Sequence, residues 1–159
     1  LKHRLKFIRE IKVPVNVLKN LRMRFYDDSA STNPHTTAAA VTSFQEPIIL
    51  IAGGKDKNLN YAPLARAIKK SGWVKLVILI GENKNKIKKV ISNLKIVIRE
   101  EKDLGSAVAT AYRSAKSLIT NYHLPITVLF SPGATSFDMF KDYADRGNQF
   151  KKIIRRIAD

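Results

Sequence analysis

Three short stretches of this chain gather side chains that could bind a small anion. FYDDSASTNP, Phe25 to Pro34, crowds Asp27, Asp28, Ser29, Ser31, Thr32 and Asn33 behind an apolar run. IAGGKDK, Ile51 to Lys57, follows a second apolar run with two glycines and the ammonium groups of Lys55 and Lys57. SPGATS, Ser131 to Ser136, follows a third run, ITVLF, and leads into FDMFKDYADRG. A helix opening on Ser136 would present free backbone N–H groups to a carboxylate or phosphate. Taken singly, the first stretch reads as helix capping and turn chemistry, and the lysines of the second as solvated turn residues. Taken together, hydroxyls, an ammonium, a carboxylate and backbone donors suit a small dianion. No histidine-based dyad, nucleophile elbow or metal-spaced carboxylate cluster accompanies them, so acid–base or metal catalysis on this chain is not expected. No GxxxxGK[ST] phosphate loop occurs.

The elements that must position these stretches alternate between strand and helix. Leu5 to Lys12 and Arg22 to Asp27 read as a strand pair, joined by a loop around Pro14 and Asn20. Pro34 to Phe44 reads as a helix capped by Thr32 or Asn33, with proline in the first turn where no N–H is needed. Pro47 to Gly54, Val74 to Ile80, Leu94 to Ile98 and Ile126 to Phe130 read as buried strands. Helices are expected from Pro63 to Lys70, stopped by Gly72, and through the lysine-rich stretch ending at Ile91. A further helix is capped by Asp103, with Leu104, Ala107, Val108, Ala111, Ala115 and Leu118 on one apolar face. The last helix is expected from Ser136 to the C-terminus, with Phe137, Phe140, Phe150, Ile153 and Ile154 in the core and Asp142 paired with Arg146 on the exposed side. Buried strands alternating with helices predict an α/β, Rossmann-like fold. Its sheet is mostly parallel, with helices on both faces and an antiparallel edge strand at the N-terminus. In such sheets ligands collect at the carboxyl ends of the strands.

Composition bounds the function class. The 159 residues suit one domain, and the 45% hydrophobic content is spread along the chain. No apolar run approaches the ~18 residues of a membrane span, and LKHRLKFIREIK at the N-terminus lacks the apolar segment of a secretory signal. A cytoplasmic protein with no membrane partner is expected. With no cysteine, thiolate metal sites and thiol nucleophiles are excluded. His3, His35 and His123 are far apart and read as surface or turn residues rather than metal ligands. The net charge of +16 would suit nucleic acid. However, the lysines fall in separate helical stretches, Lys84 to Lys89 and Lys151 to Arg156, without the arginine–aromatic interleaving of single-strand binders. A solvated basic surface is the simpler reading.

The three stretches, with RLKFIRE near the start, resemble in order the segments of the third domain of Mur ligases that add D-glutamate: NDSKATNP, AGGxDKG and SPACASFDMFKNFEDRG. The resemblance implies a three-domain, ATP-dependent amide-forming ligase of peptidoglycan precursor synthesis. In such an enzyme the first domain holds a UDP-muramoyl peptide and the second holds ATP and magnesium. ATP phosphorylates the carboxylate of UDP-N-acetylmuramoyl-L-alanine, the amine of D-glutamate attacks the acyl phosphate, and phosphate leaves. The resemblance also implies that Thr32, Lys57, Ser136 and the backbone at Tyr143 hold D-glutamate, that Phe137 lies beside it, and that Asp28 faces the ATP ribose. Ala30 stands where the family often has lysine, Tyr143 where it has phenylalanine, and Asn58 where it has glycine. Residues 1–159 would then be the third domain alone, a monomer without a bound cofactor and inactive by itself. A nucleic-acid-binding domain, or a degenerate Mur-like domain, is the alternative.

Overall fold

The computed structural model describes residues 2–158. Strands β1 (Lys6–Asn16), β2 (Lys19–Asp27), β3 (Ile48–Ala52), β4 (Val74–Leu79), β5 (Val97–Glu100) and β6 (Ile126–Phe130) form one sheet in the order β1-β2-β6-β3-β4-β5. Only β1 runs antiparallel, paired with β2 at the edge; the other ladders are parallel. The expected mostly parallel sheet with an antiparallel N-terminal edge is therefore present.

Alternation along each strand divides the core. Ile49 and Ile51 of β3 and Val128 and Phe130 of β6 point to one side, and Ile48, Leu50 and Leu129 to the other. Helices α4 (Leu104–Tyr122) and α5 (Tyr143–Arg155) cover the first side through Ala107, Ala111, Ile119 and Phe150. Helices α1 (Pro34–Val41), α2 (Ala62–Ser71) and α3 (Lys84–Ile91) cover the second through Val41, Leu64 and Ile87. Asn33 caps α1 by accepting from the Thr36 amide, Asp103 caps α4 by accepting from that of Ser106, and Gly72 ends α2 in the left-handed region.

Four local expectations are corrected. The loop expected around Pro14 and Asn20 is absent: β1 and β2 run on until only Val17 and Leu18 remain between them. Ile11, Val13 and Leu21 continue the alternating pattern and bury it, while Pro14 is tolerated because β1 is an edge strand. The strand expected at Leu94–Ile98 lies later and is not buried: Ser92–Leu94 forms a 3-10 turn, Lys95 takes φ 56°, and β5, starting at Val97, is a largely exposed edge strand. The last helix opens at Tyr143, not Ser136. Asp142 supplies its cap by accepting from the Asp145 amide at 2.7 Å, and Ser136 heads only a single turn closed by the Phe140 amide at 2.9 Å. His3 is not a surface residue but 4% exposed, held by Asp27.

Candidate functional site

Because β6 lies between β2 and β3, the three sequence stretches leave adjacent carboxyl ends of the sheet. They then interlock through the main chain. Asp28 donates to the Phe130 carbonyl at 2.8 Å, Ser131 to Ile51 at 3.1 Å, Gly53 to Pro132 at 2.9 Å, Gly133 to Ser31 at 3.0 Å and Lys55 to Thr135 at 2.9 Å. The parallel ladders end, but their pairing continues into the loops and fixes the loops' relative positions.

The acidic pair at the end of β2 works inward. Asp27 is fully buried and holds His3 Nδ1 at 2.7 Å and the Ser29 amide at 3.0 Å. Asp28, 2% exposed, accepts from the Leu5 amide at 3.0 Å, from Ser131 Oγ at 2.6 Å and from Ser31 Oγ. Its carboxylate therefore joins the N-terminus, the first stretch and the third.

The expected ligand-binding residues surround this framework. Thr32 is half-buried just before α1, and Ser136 is 2% exposed at the head of its single turn. Phe137 is corrected from core to surface: it is 63% exposed, and the ammonium of Lys57 lies 5.9 Å from its ring centroid. Two remote stretches thus bring the Lys57 ammonium to the ring of Phe137, the residue that follows Ser136. Tyr143 is 46% exposed and meets the His3 ring edge-to-face at 6.2 Å. Since no long helix starts at Ser136, the donors there are the hydroxyl and the loop amides rather than a helix terminus.

A fourth strand end, unnoticed in the sequence, completes the site. After β4 the chain turns through Gly81 at φ 83°, where a Cβ would come within 2.6 Å of Gly54 Cα and 2.8 Å of Asp138 Oδ2. Glu82 donates its amide to Asp138 Oδ2 at 3.0 Å, and its carboxylate pairs with Lys55 at 2.8 Å. Asp56 pairs with Lys86 at 2.8 Å, and hydrogen bonding to that ammonium lowers its pKa. Of the two loop lysines, Lys55 is thereby occupied, whereas Lys57 has no carboxylate partner among the described residues.

Beneath this surface lies a buried polar brace. Asn83 accepts from the Gly54 amide at 2.9 Å and donates to the Tyr61 hydroxyl at 2.7 Å, which donates to the Gly133 carbonyl at 2.9 Å. Burial pushes the Tyr61 phenol up to about 12. Arg146, expected on the surface beside Asp142, is instead 1% exposed. It donates to the carbonyls of Ala134 at 2.8 Å and Ser29 at 2.7 Å, and burial lowers its pKa to about 10, which leaves it charged at neutral pH. Polar residues at Tyr61, Asn83 and His3 carry no distinguishing local pattern; only their partners, far away in sequence, reveal their role.

No family model matches the chain. Over 158 residues, 99% of its length, it is 41% identical to the UDP-N-acetylmuramoylalanine–D-glutamate ligase of Geotalea daltonii, covering 31% of that protein. Over 141 residues, 89% of its length, it is 43% identical to the ligase of that name from Protochlamydia amoebophila, covering 30% of it. The chain thus spans about a third of the length of the curated relatives it matches. Among solved structures it resembles folylpolyglutamate synthase of Mycobacterium tuberculosis, crystallised with ADP and AMPPCP, with a TM-score of 0.58 at 10% identity over 93% of this chain and 32% of that one. It also resembles UDP-N-acetylmuramate–alanine ligase of Thermotoga maritima, with a TM-score of 0.50 at 11% identity over 96% of this chain and 30% of that one. At these identities the structural likenesses show the fold.

Proposed function

We propose that this chain, homologous along almost its whole length to D-glutamate ligases of the Mur family, is the third domain of such an enzyme and binds the incoming amino acid. The observation that carries the reading is the approach of Lys57 to Phe137, next to Ser136 in the chain, where the loops from the adjacent carboxyl ends of β3 and β6 meet. Lys57 supplies a cation to a carboxylate leaving water, and Ser136 and Thr32 supply directional donors to the same substrate. Phe137 and the backbone at Tyr143 bound the site. Asp28, on the nucleotide side in this reading, acts through the groups it holds, Ser31, Ser131 and the Leu5 amide.

In the whole cytoplasmic enzyme, ATP would phosphorylate the carboxylate of UDP-N-acetylmuramoyl-L-alanine. This domain would hold D-glutamate so that its free amine attacks the acyl carbon, and the tetrahedral intermediate would expel phosphate as the amide forms. The domain's contribution is positioning, which converts an encounter into a near-attack arrangement. Among the described residues no group of three or more His, Asp or Glu side chains could hold a metal ion. In this reading magnesium and the ATP phosphates are held by the remainder of the enzyme, and no step here is routed through the metal.

The test is ATP-dependent phosphate release by the full-length parent enzyme with UDP-N-acetylmuramoyl-L-alanine and a panel of D- and L-amino acids. Release that requires D-glutamate supports the reading. A folded parent that releases phosphate with no amino acid of the panel refutes it.

A further inference from the structure

We propose that the amino edge of the sheet, opposite the candidate site, is a docking face for an anionic phospholipid membrane. The +16 charge is not spread evenly over the fold. Ten of the thirteen acidic residues lie at or after strand carboxyl ends: two at the end of β2, one each after β3 and β4, three at the end of β5 and three after β6. Of the other three, Glu10 and Glu46 are ion-paired with Arg22 and Arg24, and Asp159 lies outside the described residues. The amino edge therefore carries lysines almost without opposing charge.

Two features shape that edge. Met23 of β2 pairs with Ile126, the first residue of β6, so residues 19–22 overhang the sheet, by about 13 Å at ~3.3 Å per residue. The overhang ends in Val17 and Leu18, 102% and 96% exposed, with exposed Lys12 and Lys19 behind them. Farther along the same edge, a cavity of about 470 Å³ opens between the end of α2, the starts of β4 and β5 and the end of α4. Lys69, Lys75 and Lys95 line it above an apolar floor, with half-exposed Tyr122 at its rim. Among the described residues none of these three lysines is ion-paired.

Helix C-termini attract cations, which accounts for Lys69 and Lys70 in the last turn of α2. It does not account for Lys12, Lys19 or Lys95, nor for an aliphatic pair projecting into solvent. A nucleic-acid backbone would use the lysines but gain nothing from Val17 and Leu18. A bilayer uses both: aliphatic side chains enter the headgroup–acyl boundary while lysines meet anionic headgroups. The contact is peripheral, since no described helix is long and apolar enough to cross a membrane. It departs from the expectation of no membrane partner, which rested on the lack of a spanning run.

The test is co-sedimentation of the 159-residue chain with vesicles of phosphatidylglycerol and phosphatidylethanolamine, and with phosphatidylcholine vesicles, near physiological salt. Binding is expected to the anionic vesicles only. Val17→Ser with Leu18→Ser should weaken it by roughly tenfold or more, with an unchanged melting temperature because both side chains are solvated. Lys69→Gln, Lys75→Gln and Lys95→Gln should each weaken it by roughly fivefold. Lys102→Gln with Lys141→Gln, on the carboxyl side, should leave it nearly unchanged. The proposal falls if anionic vesicles are not bound, or if the Val17 and Leu18 changes are silent. It also falls if the carboxyl-side pair matters as much as the amino-edge lysines, or if duplex DNA is bound more tightly than the vesicles.

Discussion

Arg146 donates from Nη2 to the carbonyl of Ser29 at 2.7 Å across 117 residues of sequence, and so ties α5 to the loop that follows β2. Its other terminal nitrogen holds the Ala134 carbonyl in the loop after β6. One buried guanidinium thus fixes two of the three stretches that form the candidate site.

Replacing Arg146 with methionine, which fills similar space without donors, should lower stability by about 2–4 kcal/mol, because two buried carbonyls lose their partners. Arg146→Lys should recover only part of this, since an ammonium lacks the fork that spans both carbonyls. Urea denaturation of the three proteins, compared at constant m-value, measures the difference.

Gly147→Ala should destabilise the chain although it places a better helix former inside α5. Helix propensity alone predicts a gain of about 1 kcal/mol. However, the added Cβ would lie 2.1 Å from His3 Nδ1 and 2.9 Å from Asp27 Oδ2, so the buried His3–Asp27 hydrogen bond must open. A net loss of roughly 2 kcal/mol is expected, together with a changed His3 imidazole signal by NMR. A stabilised variant with an intact His3 signal would contradict the packing described.

Tyr61 makes stability sensitive to alkaline pH. Burial raises its pKa from 10.0 to about 12, so the folded state keeps a proton that the unfolded state releases. The stabilisation is fully present below pH 10 and is lost as pH rises through about 12. Absorbance titration should show a phenolate forming near pH 12 that Tyr61→Phe deletes. The same variant removes the donor to Gly133 and should be less stable by about 1 kcal/mol at neutral pH.

Lys57→Ala should weaken D-glutamate binding by the parent enzyme by roughly 10- to 100-fold, the worth of a charge-assisted hydrogen bond. Ser136→Ala should act in the same direction. The D-glutamate dependence of phosphate release gives both values. By contrast, Lys55→Ala should have the smaller effect, because Lys55 already pairs with Glu82 at 2.8 Å.

Local signals carried much of the fold. The apolar runs ending at Ala52, Leu79 and Phe130 became buried strands, and Asn33, Gly72 and Asp103 mark helix ends because their side chains or backbone satisfy orphan groups nearby. The fold departs from the local pattern where two local solutions compete. Ser136 and Asp142 can both cap a helix, and the carboxylate took the role; an expected loop at Pro14 gave way to strand because Val13 and Leu21 could be buried together.

The sequence by itself determined the alternating elements, the basic charge and the three polar stretches, since each depends on neighbours a few residues away. Which stretches meet, and which side chains turn inward, was decided only by the tertiary structure. The order β2-β6-β3 brings Asp28, Lys57 and Ser136 to one edge, and burial turns Arg146 from an apparent surface partner of Asp142 into an internal brace. The physical reason is that a buried polar group must find its hydrogen-bond partners wherever the fold supplies them, and sequence spacing does not record that distance.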